Sequence, residues 1–130
     1  MHRIILGLFF ILALLLRPAY ATSQGPDRFA DGTPVPESEN FLPPAPKGGN
    51  LPLVQYPKQL AIASIQGRFE ADVVVSASGE VLDVVVKRHL HRQVDRGIVK
   101  LLRQVRFDPA TLDGKPVSAI YRATYDFSIN

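Results

Sequence analysis

Arg106-Phe107-Asp108-Pro109-Ala110 and Gly114-Lys115-Pro116-Val117 lead into an alternation that runs to the C-terminus. Val117, Ala119, Tyr121, Ala123, Tyr125, Phe127 and Ile129 fall on one face, and Ser118, Ile120, Arg122, Thr124, Asp126 and Ser128 on the other. A period of two with one apolar face is the pattern of a strand laid on a core. At 13 residues, from Val117 to Ile129, it is long for a strand. Upstream of it, Asp113-Gly114 supplies a turn, and Pro109 stops any helix that approaches from the N-terminal side.

Working back from that strand, Val94, Ile98, Leu101, Leu102 and Val105 line up on one side of a helix, and Arg92, Arg96, Lys100 and Arg103 on another. Gly97 inside this helix costs up to ~1 kcal/mol relative to alanine, and a close helix-to-strand approach would account for it. Earlier still, Phe69, Ala71, Val73 and Val75 alternate with Glu70, Asp72, Val74 and Ser76. Ser76-Ala77-Ser78-Gly79 turns the chain, and Val81 to Arg88 returns with Leu82, Val84 and Val86 on one face, which makes a hairpin. Pro57 suits the first turn of a short helix through Ala63, where its missing N–H is not needed. Tracing the directions leaves the last strand antiparallel to the first. The predicted fold is α+β in two layers, with a three-stranded antiparallel sheet in the order 2-1-3, one amphipathic helix packed on it and a short preceding helix.

Tyr56-Pro57, Gly79, Val94-Asp95, Phe107-Asp108-Pro109-Ala110 and Gly114-Lys115-Pro116-Val117 occur in an order that resembles the C-terminal domain of TonB-type energy transducers. The resemblance runs from about Gln55 to Asn130 and agrees with the sheet order just derived. It implies a periplasmic protein-binding domain whose last strand receives the TonB box, a short peptide of an outer-membrane transporter. It also implies that Gln55, Tyr56 and Pro57 touch the receptor. Two departures stand against full equivalence. The apolar run Ile4 to Leu16 contains neither the serine nor the histidine through which such transducers engage a proton-driven motor. The family's frequent Ser-Ser-Gly after the second strand is replaced by Arg88-His89-Leu90-His91-Arg92.

The N-terminus has the layout of a secretory signal peptide: Arg3, the run Ile4 to Leu16, then Ala19-Tyr20-Ala21. As a helix, that 13-residue run would be ~20 Å long, short of the ~30 Å of hydrocarbon that a spanning helix crosses. Cleavage after Ala21 is expected, with a retained inner-membrane anchor as the alternative, and membrane contact only in that second case. Removal of Arg3 and Arg17 with the signal lowers the formal charge from +3 to +1. An exported chain of that balance is not a nucleic-acid binder. Residues 22–52 read as a Pro-rich, mostly extended linker, since eight of the eleven prolines lie between Gly25 and Pro57. The folded domain is then 53–130. With no cysteine, the chain has neither disulfides nor a lipoprotein attachment site.

A bare sheet edge is the feature that points to function. Nothing between Val117 and Asn130 carries the proline, bulge or cover that ordinarily blunts an edge strand, so strand addition by a partner is its physical use. The candidate partner-binding residues are therefore Gln55, Tyr56, Pro57, Ile120, Arg122, Thr124 and Asp126. The competing readings are that residues Leu51 to Tyr56 cover the edge, or that a second copy does so in a homodimer. The partner is an outer-membrane transporter or another envelope protein. No catalytic constellation, cofactor or metal is expected: His89 and His91 share a strand end but lack a third ligand, and no nucleophile motif accompanies them. Lys87, Arg88, Arg92, Arg96, Lys100 and Arg103 form a basic surface suited to phospholipid headgroups, lipopolysaccharide phosphates or an acidic partner, or simply a solvated helix face.

Overall fold

The strand Gly67–Val75 (β3) has a neighbour on each side, and the rest of the domain is arranged around it. A computed structural model describes residues 27–36, 40–54 and 66–128. The expected signal peptide, the short helix expected over 57–63 and the expected contacts Gln55, Tyr56 and Pro57 lie outside the described residues. Two short strands, Phe41–Leu42 (β1) and Ala45–Pro46 (β2), precede β3. After it come Val81–Arg88 (β4), the helix Arg92–Leu102 (α1), Phe107–Asp108 (β5), Ala110–Leu112 (β6), Lys115–Val117 (β7) and Ala119–Phe127 (β8).

The central sheet has the order β4-β3-β8, antiparallel throughout, which is the predicted 2-1-3 arrangement. It is joined by two smaller sheets beyond the expected one, β1-β6-β7 and β2-β5. Their origin is the backbone: segments on both sides of α1 run extended, and extended backbone leaves donors and acceptors that pairing satisfies. Phe41 and Leu42 face Leu112 and Thr111, while Ala45 and Pro46 face Asp108 and Phe107. From 40 to 54 the Pro-rich stretch lies against the domain, with Pro46 and Leu51 buried.

Phe69, Ala71, Val73 and Val75 from β3, Val84 from β4, and Tyr121, Ala123 and Phe127 from β8 form the inner face. Val94, Ile98 and Leu102 of α1 close over it, with Phe107 beside them. The inner face of β4 departs from prediction. Register shifts place Val81 opposite Val75 and leave Leu82 as an extra residue, 59% exposed, where Leu82 was expected to continue the row of Val84 and Val86. A second shift makes Lys87 extra between Val86 and Arg88. The expected 13-residue strand is also divided. Val117 instead ends β7, which a two-residue turn at Asp113 and Gly114 (φ 51° and 78°) folds back on β6, and among the described residues Ala119–Phe127 belongs to the central sheet.

Gly79, at φ 87°, closes the hairpin turn, and its carbonyl accepts the Phe107 N–H at 2.9 Å. A Cβ there would stand 2.1 Å from the Phe107 carbonyl oxygen. Gly97 is the opposite case. It was expected to mark a close helix-to-strand approach, but it faces solvent and a Cβ would meet nothing within 4 Å. Its presence has no packing reason in this structure. Two outcomes follow for urea unfolding. Gly79→Ala should lose at least ~2 kcal/mol, from positive φ and from the clash with rigid backbone. Gly97→Ala should gain up to ~1 kcal/mol through helix propensity alone.

Candidate functional site

The edge of β8 that faces away from β3 is the candidate site, and its residues are positioned by the β3 ladder. Gly67 to Val75 pair without interruption with Phe127 to Ala119. The Ile120 N–H donates outward to Arg28 O at 3.0 Å, and Ser118 O accepts outward from Ala30 N at 3.1 Å. Because backbone groups alternate sides along a strand, Arg122, Thr124 and Asp126 present their N–H and C=O on that same outward side. Among the described residues no strand pairs with β8 there beyond Ile120. The edge is therefore closed at its start, and from Arg122 onward no described residue pairs with it.

The closure comes from Arg28 to Ala30, earlier in the chain than the Leu51 to Tyr56 segment. Asp27 to Val35 double back on themselves, with Phe29 N donating to Thr33 O and Val35 N to Asp27 O. Phe29 is held by an edge-to-face contact with Phe41, ring centroids 5.9 Å apart. This small loop takes Ile120 out of the open edge. The two isolated phenylalanines in a Pro-rich stretch were the available signal, and they carry no periodicity that would have placed them. Leu51 to Val54 approach β8 differently: Tyr125 donates its hydroxyl proton to Pro52 O at 2.9 Å.

The outer face of the sheet carries a chain of alternating charges. Lys87 lies 4.0 Å from Asp72, Asp72 accepts from Arg122 directly across the ladder, and Arg122 approaches Glu70 at 3.8 Å. Glu70 then lies 3.8 Å from Arg68, which donates to Asp126 at 2.7 Å. Each cross-strand pair of this kind contributes only ~0.2–1 kcal/mol. Their consequence for the site is larger: the side chains of Arg122 and Asp126 are engaged within the sheet, and what they leave for a partner is backbone. Thr124, between them and opposite Glu70, is buried, and its hydroxyl has no hydrogen-bond partner among the described residues.

His89 and His91 are not arranged as metal ligands. The Asp95 carboxylate accepts from Leu90 N at 3.1 Å, from His91 N at 3.2 Å and from His89 Nδ1 at 3.0 Å. His91 Nδ1 accepts from Gln93 N at 3.3 Å and caps α1. Both rings thus serve the start of the helix, and among the described residues no group of three or more His, Asp or Glu is placed to hold a metal. Val94-Asp95 is explained by the same geometry, with Val94 in the core and Asp95 tying down the preceding loop.

This arrangement is an antiparallel 2-1-3 sheet under one helix, with the last strand at its edge. Residues 52–129 match the family described as Gram-negative bacterial TonB protein C-terminal, and the chain belongs to that family. No curated protein matches the chain. The family is periplasmic in Gram-negative bacteria, and its domains interact with outer-membrane transporters. Among the described residues no helix is long and apolar enough to cross a membrane.

Tyr125 connects the site to alkaline stability. Burial, with nearby Tyr121 adding to it, pushes its phenol up to about 12, against ~10 for a free tyrosine. Burial raises Tyr121 as well. A raised folded-state value means that the fold favours the neutral phenol. Its stabilising effect is complete below pH ~10 and is lost as pH rises through about 12. Tyr125→Phe should lower stability at pH 8 by ~1 kcal/mol through the lost Pro52 bond. Urea midpoints compared at pH 8 and pH 11 should then show a smaller alkaline loss in the variant than in the parent chain.

Proposed function

We propose that this chain is a periplasmic binding module rather than an enzyme, and that it engages an outer-membrane transporter or another envelope protein by strand addition to β8. The observation that carries this reading is the β8 edge from Arg122 to Asp126, with which no described residue pairs, in a member of the TonB C-terminal family. An extended peptide laid antiparallel there gains main-chain hydrogen bonds from Arg122, Thr124 and Asp126 without disturbing the ion pairs on the outer face. The opposite edge is a poorer receiver. β4 carries two register irregularities together with Lys87 and Arg88, devices that discourage pairing. Gln55, Tyr56 and Pro57 enter this reading only through the family resemblance, as a contact next to the edge.

Proline at 124 is the decisive substitution, because the Thr124 N–H points to the open side and the β3 ladder does not use it. Thr124→Pro should weaken binding of a synthetic TonB-box peptide at least ~10-fold by titration calorimetry while circular dichroism shows the fold retained. Unchanged affinity in the folded variant would reject strand addition at β8. A concentration-dependent dimer that dissociates on the same substitution, with no peptide binding, would instead assign the edge to self-association.

A further inference from the structure

On the other side of the domain from β8, α1 and the end of β4 enclose an open groove of about 670 Å³. Its floor is apolar: Val86 from β4, Leu90 from the connecting loop and Val99 from the helix, each half-buried. Its rim is cationic, with Arg92, Arg96 and Lys100 one helical turn apart and exposed. None of the three is paired with a carboxylate among the described residues, whereas Arg103 at the end of the row lies 3.6 Å from Asp83. The only acid in the helix, Asp95, is turned into the loop it anchors. Like charges at i and i+4 repel, so this row is a cost to the isolated helix that an anion would relieve.

We infer that this groove is a docking site for an anionic membrane phospholipid, with its phosphate on Arg92, Arg96 and Lys100 and an acyl chain on Val86, Leu90 and Val99. Two features select a lipid over an acidic peptide. The adjoining edge of β4 is broken by its extra residues Leu82 and Lys87, so it offers no regular ladder to hold a peptide in register. The groove itself recognises through apolar surface and charge, and the long basic side chains add methylene walls beneath their charged ends. A phospholipid needs those two properties and no main-chain register. Such docking is independent of strand addition at β8, and because the two sites lie at opposite edges of the sheet they can be occupied together.

The test is residue-resolved amide NMR on the isotope-labelled full chain, titrated with dihexanoylphosphatidylglycerol below its micelle concentration. Residue-level shifts keep any effect at the N-terminal apolar run separate from the groove. The expected result is saturable shifts at both Leu90 and Val99 on the floor and Arg96 and Lys100 on the rim. The double variant Arg96→Glu/Lys100→Glu, at two exposed positions, should keep the fold and bind ~10-fold more weakly or worse. Equal binding of dihexanoylphosphatidylcholine would overturn the inference by removing charge selection. So would rim shifts reproduced by inorganic phosphate alone, because the floor would then have no part. A glutamate-rich peptide that shifts these amides when the lipid does not would reassign the groove to a protein partner.

Discussion

The contact between Gly79 and Phe107 is the constraint on which the domain's assembly depends. The hairpin tip and the chain leaving α1 are remote in sequence, and here their backbones meet with one hydrogen bond and no room for a side chain. Phe107 is then fully buried against Tyr121 of β8, ring centroids 5.2 Å apart, and its neighbour across β5 is Pro46 of the Pro-rich segment. One residue therefore touches the hairpin, the last strand and the segment that precedes the domain. The Arg106 guanidinium reinforces the junction by donating to Glu80 at 3.1 Å. The spacing of Gly79 from Phe107-Asp108-Pro109-Ala110 is the imprint of this junction.

From that junction the two edges of the sheet acquire different characters. β8 is regular, paired residue for residue with β3, and among the described residues its outer edge is capped at its start by Arg28 to Ala30. β4 is irregular at both ends, and the charged residues near its exit suit solvent or an anionic surface more than a partner strand. The two proposed contacts divide along the same line. A regular edge suits recognition of backbone, which is tolerant of sequence; an irregular edge beside a basic helix suits charge and apolar bulk. The ion-pair chain across the outer face keeps Arg122 and Asp126 from competing in the first kind of recognition.

Much of the fold was legible in the sequence because period-two and period-3.6 patterns translate directly into faces. The sheet order, the hairpin, the helix and its basic stripe followed from Phe69 to Val75, Val94 to Leu102 and Ala119 to Phe127. Less could be read where pattern carries no information. The extra residue at Leu82 reverses a face without changing the apolar count, and the docking of residues 27–54 rests on isolated contacts of Phe29, Phe41, Pro46 and Leu51. Gly97 invited a packing explanation that the open space around it removes.

Local sequence by itself determined which segments are strands and helix, which faces they bury, and the family to which the domain belongs, because these depend on side-chain periodicity and on a few turn and cap residues. Only the tertiary structure decided how much of β8 stays open, where the side chains of Arg122 and Asp126 go, and that His89 and His91 serve the start of a helix. Those outcomes depend on which backbone groups and charges meet across long separations in the chain. The pairing of Ile120 with Arg28 and of Asp72 with Arg122 exists only once the sheet has assembled.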